Sequence, residues 1–290
     1  MKIGVSSYSF SRLVNSGVMS QLDVVTKTAE LGFDAIEFAG FALPEGASPL
    51  GFAEEARAAC EAHNLEIVNY PIGADFLRGC NGDLQAEIER VKDEVRVAHA
   101  LGVPGMRHDA TAGFPPNHVG AKSFDAALPR VAEGCLAVTE FAAELGIRTM
   151  VENHGYFCQD SDRVEKLICT VNHPNFGALI DIGNFACADE ECTQAVARLA
   201  PYAFHVHAKD FHVKSGLQPF PGDGWFSSRA GNYLRGAIIG HGEIPVTQCL
   251  RLIKASGYDG VLSIEFEGME DPVLGIHLGL SNLKRFLEAC

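Results

Sequence analysis

The chain predicts a single-domain (β/α)8 barrel, and three observations carry that prediction. One motif recurs: a helix-like segment, then Leu-Gly or Ser-Gly, then a short apolar run. It reads AELGFDAIEF at 29–38, AHALGVPGMRHD at 98–109, AAELGIRTMVENHG at 142–155 and KASGYDGVLSIEFEG at 254–268. The glycine suits the left-handed residue just past a helix, which releases the chain into the next strand. The alternation also continues to the C-terminus, and no G-x-G-x-x-G follows the first strand, which sets the closed barrel above a doubly wound open sheet. Finally, four acidic or imidazole residues each end a different apolar run: Glu152 in TMVENHG, Asp181 in ALIDIGN, His207 in FHVHAKD and Glu265 in LSIEFEG.

Taken in order, strands are predicted near 2–7, 34–39, 65–70, 104–108, 147–152, 177–181, 202–207 and 261–266. Helices are predicted over 18–31, 50–63, 82–101, 124–145, 161–170, 190–200, 245–256 and 271–288. Eight of each in one domain of this length suit the (β/α)8 fold. The segment 208–244 is the irregular stretch, rich in Gly and Pro, and reads as a long loop or lid inserted after the seventh strand. Trp225, the only tryptophan, lies in it; it is either a wall over a substrate or an anchor for the loop.

Composition narrows the function classes. The 290 residues are 47% hydrophobic and 21% charged, as in a soluble globular protein. No apolar run is long enough to span a membrane, and the start lacks the apolar core of a signal peptide. The nine cysteines are scattered without a C-x-x-C pair, which fits reduced thiols in a cytoplasmic protein. A net charge of −14 argues against a nucleic-acid partner. A homo-oligomer is compatible with the sequence, although no segment marks an interface.

Strand parity brings the polar residues together. Glu152 and His154 share one face of their strand, as do His205, His207 and Lys209, and as do Ser263, Glu265 and Glu267. If the runs are parallel strands of one barrel, Glu152, Asp181, His207 and Glu265 converge at its C-terminal mouth. Three carboxylates and an imidazole in one spot call for a cation. The expected cofactor is one divalent ion, manganese first, with magnesium, cobalt, zinc or ferrous iron as alternatives.

The pieces VENHG, DIGN, HVHAKD, GHGEIPVTQCLRLIKASGYDG and LSIEFEG, spread over essentially the whole chain, resemble the xylose-isomerase-like barrels. That superfamily holds sugar isomerases, ketose epimerases, keto-inositol dehydratases and apurinic-site endonucleases. The resemblance implies that Glu152, Asp181, His207 and Glu265 bind one metal, and that Glu152 and Glu265 also act as the acid/base pair. The implied chemistry is proton abstraction next to a carbonyl of a small sugar or polyol, through a metal-stabilised enediolate.

Other residues take expected roles around this centre. His154 is a second acid/base group, and Lys209 stabilises a developing oxyanion. Glu37, Trp225 and one of Arg107 and His108, which end strand four, contact substrate; parity does not choose between the last two. Asp210 and His212 orient the ligands. Asn184 departs from the resemblance, since ketose 3-epimerases commonly carry a histidine there. Lyases of the superfamily share the HxKD pattern, so a keto-inositol or keto-glycoside dehydratase is the alternative to an isomerase or epimerase. A nuclease and a non-catalytic binding subunit follow at a distance.

Overall fold

Helix boundaries follow local capping chemistry. In a computed structural model describing residues 1–290, α1 (Ser11–Asn15) is a short turn and α2 spans Gln21–Glu30. Ser20 and Asp23 form a reciprocal capping box at the start of α2. Ser48 caps α3 (Pro49–Ala62), where Pro49 costs no hydrogen bond because the first-turn N–H groups are unpaired anyway. After the irregular turn α4 (Gly79–Gly82), Asp83 caps α5 (Leu84–Leu101), which ends on left-handed Gly102. Ser123 caps α6 (Phe124–Glu144); α7 (Ser161–Val171), α8 (Cys192–Leu199), α9 (Val246–Ala255) and α10 (Pro272–Glu288) complete the set. All eight predicted helices are present, within a few residues of their predicted ends.

Between the helices lie β1 (Lys2–Ser6), β2 (Ala35–Glu37), β3 (Glu66–Asn69), β4 (Gly105–His108), β5 (Arg148–Glu152), β6 (Phe176–Asp181) and β7 (Ala203–Ala208). The strands β8 (Asp210–Lys214), β9 (Phe226–Ser227) and β10 (Tyr233–Ala237) precede the last barrel strand, β11 (Val261–Ile264). The barrel order is β3-β2-β1-β11-β7-β6-β5-β4, and every pairing is parallel. First and last strands pair directly, which a doubly wound open sheet does not do. The seam between β3 and β4 is closed by Ile72, whose N–H donates to Arg107 O at 2.9 Å. One apolar core joins helices to barrel, with Val5, Ile36, Val151, Ile180, Val206 and Ile264 wholly buried beneath the helical ring.

The segment 208–244 is not irregular throughout. The three strands β8, β10 and β9 form a separate antiparallel sheet. Local patterning hides it because its strands are separated by Gly-rich turns. Arg229 ties it to Asp160, and Asp189 receives bonds from Ser228, Ala230 and Asn232. Asp210 fixes its root, accepting N–H bonds from Phe211, Gly240, Gly242 and Ile244. Gly242 is required there, since a Cβ would stand 2.2 Å from Asp210 Oδ1.

Candidate metal centre

Glu152 ends β5, Asp181 ends β6, His207 is the penultimate residue of β7, and Glu265 follows β11 directly. Register places Asp181 beside His207, and His207 beside Ser263 two residues before Glu265. One ligand-capable atom from each of the four lies within 4.8 Å of all the others. Asp181 uses Oδ1 to accept the N–H groups of Gly183 (2.8 Å) and Asn184 (3.0 Å) in the turn after β6. That turns Oδ2 toward the cluster, where it is buried without a well-formed hydrogen bond, although Lys209 Nζ is 3.2 Å away. His207 Nδ1 is likewise buried and unbonded, 3.6 to 3.9 Å from Glu265, Asp181 and Glu152. An orphaned imidazole nitrogen and a carboxylate oxygen without a hydrogen bond, in a set of three carboxylates and one imidazole, fit a divalent cation with oxygen and nitrogen ligands.

Glu37, wholly buried at the end of β2, stands behind His207 rather than in the cavity. Its Oε1 is 2.6 Å from His207 Nε2, and its Oε2 is 2.9 Å from His205 Nε2. Asn69 donates to the same Oε2, and Ser263 Oγ sits 3.0 Å from His205 Nε2. Burial alone would push the Glu37 carboxyl up, but His207 and His205 hold it well below the usual carboxylate range. Burial likewise disfavours charge on His207, yet Glu37 and then Glu265 raise it to about 10. The sequence marks Glu37 as a substrate contact; the structure places it where it fixes the imidazole with Nδ1 facing the cluster.

Two cations sit among the acids. Lys209 Nζ lies 2.5 Å from Glu265 Oε2 and 3.2 Å from Asn184 Oδ1. Burial opposes ionisation of Glu265, but Lys209 and His207 bring its carboxyl down to about 2. Asp181 goes the other way: burial pushes it to about 6, with Glu265 and Glu152 adding to the rise against Lys209. Arg107 Nη2 bridges Glu152 Oε2 (2.6 Å) and Asp109 Oδ1 (2.9 Å). His154, half-exposed, places Nδ1 3.0 Å from that same Asp109 oxygen. These groups open into a cavity of about 440 Å³.

Arg107, Glu152, His154, Lys209 and Glu265 all line that cavity. Strand parity in β4 is thereby decided: Arg107 points inward, and His108 packs outward against Phe76 and Phe176. Burial there lowers the His108 imidazole to about 4. Asp210 organises the 240–244 turn, and His212 lies 3.7 Å from Glu243, so neither touches the four clustered residues. Trp225 packs beneath Lys214 and Arg235 on the small sheet and does not line the cavity. Beyond Lys209, no residue of 208–244 lines it.

Several residues at the site were given no role from sequence. Asn184 donates to Glu152 Oε1 at 3.0 Å and accepts from Lys209, coupling the two. Tyr8, Phe41, Tyr70 and Glu267 line the cavity from the segments that follow β1, β2, β3 and β11. Glu267 shares the face of Glu265, which was a usable signal; the aromatic residues carried none that separated them from core.

Comparison with known proteins bears on what such a centre is for. Residues 25–286 match the family model described as xylose isomerase-like TIM barrel. The chain belongs to this family. A human relative named "Putative hydroxypyruvate isomerase" is 26% identical over 258 residues, covering 84% of this chain and 83% of the relative. Among solved structures, the 3-keto-D-glucoside 4-epimerase YcjR from E. coli superposes with a TM-score of 0.70 at 16% identity, over 98% of this chain and 99% of the other. The probable 3-DHS dehydratase AsbF from Bacillus anthracis superposes with a TM-score of 0.73 at 17% identity, over 97% and 99%. At these identities the structures establish the shared fold. No helix is long and apolar enough to cross a membrane.

Proposed function

We propose that this protein is a divalent-metal-dependent isomerase or epimerase of a keto-sugar, with Glu152, Asp181, His207 and Glu265 as the ligands. The observation that carries the reading is the convergence of these four at the barrel mouth, with His207 Nδ1 buried and unbonded and Asp181 Oδ2 buried with only Lys209 Nζ beside it at 3.2 Å. Manganese and magnesium suit so carboxylate-rich a donor set best. Such an ion, when bound, makes a C–H group beside a ligated carbonyl acidic.

The chain's own residues then move the proton. Glu152 and Glu265 come from strands separated by β6 and β7, so they approach a bound substrate from different sides. One removes the proton and the other returns it to the opposite face. Lys209, already against Glu265, is placed to stabilise negative charge on a substrate oxygen. Arg107 and Asn184 hold Glu152 from its two oxygens. His154, with its orientation set by Asp109, exchanges a proton with a substrate hydroxyl.

The dehydratase alternative draws on that same pair. Hydrogen bonding to Asp109 favours the protonated His154 ring, outweighing the burial that opposes it. A protonated imidazole at the cavity wall is what departure of a hydroxide requires. Proton NMR in D2O of the magnesium-loaded protein with ketoses, inososes and 3-keto-glycosides tests both readings. Metal-dependent loss of a C–H signal beside a carbonyl, without change of mass beyond deuterium, is expected for the epimerase. Loss of water identifies the dehydratase. A Glu152→Gln variant that exchanges protons as fast as the parent would remove Glu152 from the mechanism.

A further inference from the structure

The cavity is longer than the metal centre needs, and its two ends differ in chemistry. The three clustered acids and the imidazole come from β5, β6, β7 and the end of β11, one side of the barrel. The cavity continues over the opposite strands, β1, β2 and β3, where Ala39, Phe41, Leu43, Pro49, Pro71 and Ile72 line it. Phe41 is anchored edge-on by Phe38 (5.7 Å) and Phe52 (5.0 Å) and leans on Tyr70 (5.1 Å), so this wall is preformed. At about 440 Å³ the whole falls within the range of pockets for drug-sized ligands, far more than a three-carbon keto acid fills.

Polar groups on the distal half are committed to one another. The Tyr70 hydroxyl donates to Glu94, and Arg90 is held by both oxygens of Glu87 and by Gly73 O. Few partners remain there for a second ring of hydroxyls. No lining cation is free for an anion: Arg107 is held by Glu152 and Asp109, Lys209 by Asp181, Glu265 and Glu267, and Arg90 by Glu87. The four lining carboxylates, Glu94, Glu152, Glu265 and Glu267, outnumber the three lining Arg and Lys side chains, each of which is already paired.

We propose that the substrate is an uncharged keto-sugar carrying an apolar substituent, a keto-glycoside with an apolar aglycone, seated with its carbonyl at the metal end and its aglycone against Phe41, Leu43 and Pro49. The pairing of every lining Arg and Lys disfavours phosphorylated sugars and small hydroxy keto acids. The inference rests on the enolisation reading above, because that reading fixes which end holds the carbonyl.

Calorimetry on the magnesium-loaded full chain tests it with methyl 3-keto-glucoside, phenyl 3-keto-glucoside and hydroxypyruvate as probes. Phenyl 3-keto-glucoside is expected to bind about tenfold tighter than the methyl compound, from the apolar area covered. Hydroxypyruvate is expected to bind weakest. Phe41→Ala should collapse the phenyl-to-methyl ratio toward one while magnesium affinity stays at the parent value. Leu43→Ser, on a more exposed loop position, should do the same in part and guards against misfolding of the first variant. Equal binding of the two glycosides, failure of both to bind, or tightest binding of hydroxypyruvate overturns the proposal. Solvent-deuterium exchange read on the same samples separates the two readings. Exchange without phenyl preference discards the apolar wall and keeps enolisation; phenyl preference without exchange retains the wall and discards the reaction.

Discussion

Replacing Glu37 by glutamine tests whether His207 is held for a metal from behind. Glu37 has no exposed surface, and its two oxygens face two imidazole nitrogens, at 2.6 Å from His207 and 2.9 Å from His205. Glutamine keeps one acceptor and gains a donor. Whichever way the amide turns, one ring N–H meets an NH2 group or loses its acceptor. An unsatisfied buried donor costs about 1–3 kcal/mol, which is the expected fall in stability of the metal-free protein in urea unfolding. Metal affinity feels two opposed effects. Without the carboxylate, His207 gives up the Nδ1 proton more readily, which helps binding. Its ring also loses the bond that aims Nδ1 and raises its basicity, and removal of such partners typically weakens metal binding by about 10–100-fold. The net expectation is a Mn2+ dissociation constant raised at least tenfold in calorimetry at pH 7.5, about 1.4 kcal/mol. A Glu37→Gln protein that binds Mn2+ within twofold of the parent would refute the reasoning, as His207 would then need no support.

Other expectations follow from the same geometry. Asp181→Asn should abolish tight Mn2+ binding yet make the metal-free protein more stable at pH 7. Its carboxyl is raised to about 6, so the ionised form is a native-state burden that grows as pH rises from about 4 through 6; equal apo stability of parent and variant at pH 7 would contradict this. Lys209→Gln should tighten Mn2+ binding severalfold while slowing solvent exchange, because the ammonium competes for Asp181 and Glu265; weaker binding in calorimetry would show that Lys209 instead organises the site. His108 is lowered to about 4, so the unfolded chain takes up a proton the fold excludes, and stability falls as pH drops from about 6.5 to 4. A shift of that size corresponds to about 3 kcal/mol, and His108→Phe should flatten the urea-unfolding profile in that window by a comparable amount. Gly242→Ala should cost about 1–3 kcal/mol by overpacking against Asp210 and the Phe211 carbonyl, with Mn2+ affinity little changed; thermal melts at the parent's midpoint would speak against it.

The barrel and the four clustered residues were legible in the sequence for physical reasons that are local. The Leu-Gly and Ser-Gly junctions at 31–32, 101–102, 145–146 and 256–257 each follow a helix and lead into a strand, and an acidic or imidazole residue closing a β-branched run stands out against its apolar neighbours. Parity alone grouped His205 with His207 and Glu265 with Glu267 on common faces. What the chain could not reveal were relations between strands distant in sequence. Parity within MRHD did not choose between Arg107 and His108; the packing of His108 between Phe76 and Phe176 did. Glu37 reads like any strand-end carboxylate until barrel closure sets it behind His207, some 170 residues away. The 208–244 segment looked like a cover for the mouth, but its short strands pair with one another and carry Trp225 away from the cavity. Asn184 took on meaning only when the turn after β6 set it between Glu152 and Lys209. Sequence periodicity thus determined which residues share a strand face. Which of them touch, and which merely hold the others, was decided by closure of the barrel, because hydrogen bonds and charge pairing depend on distances that no local pattern encodes.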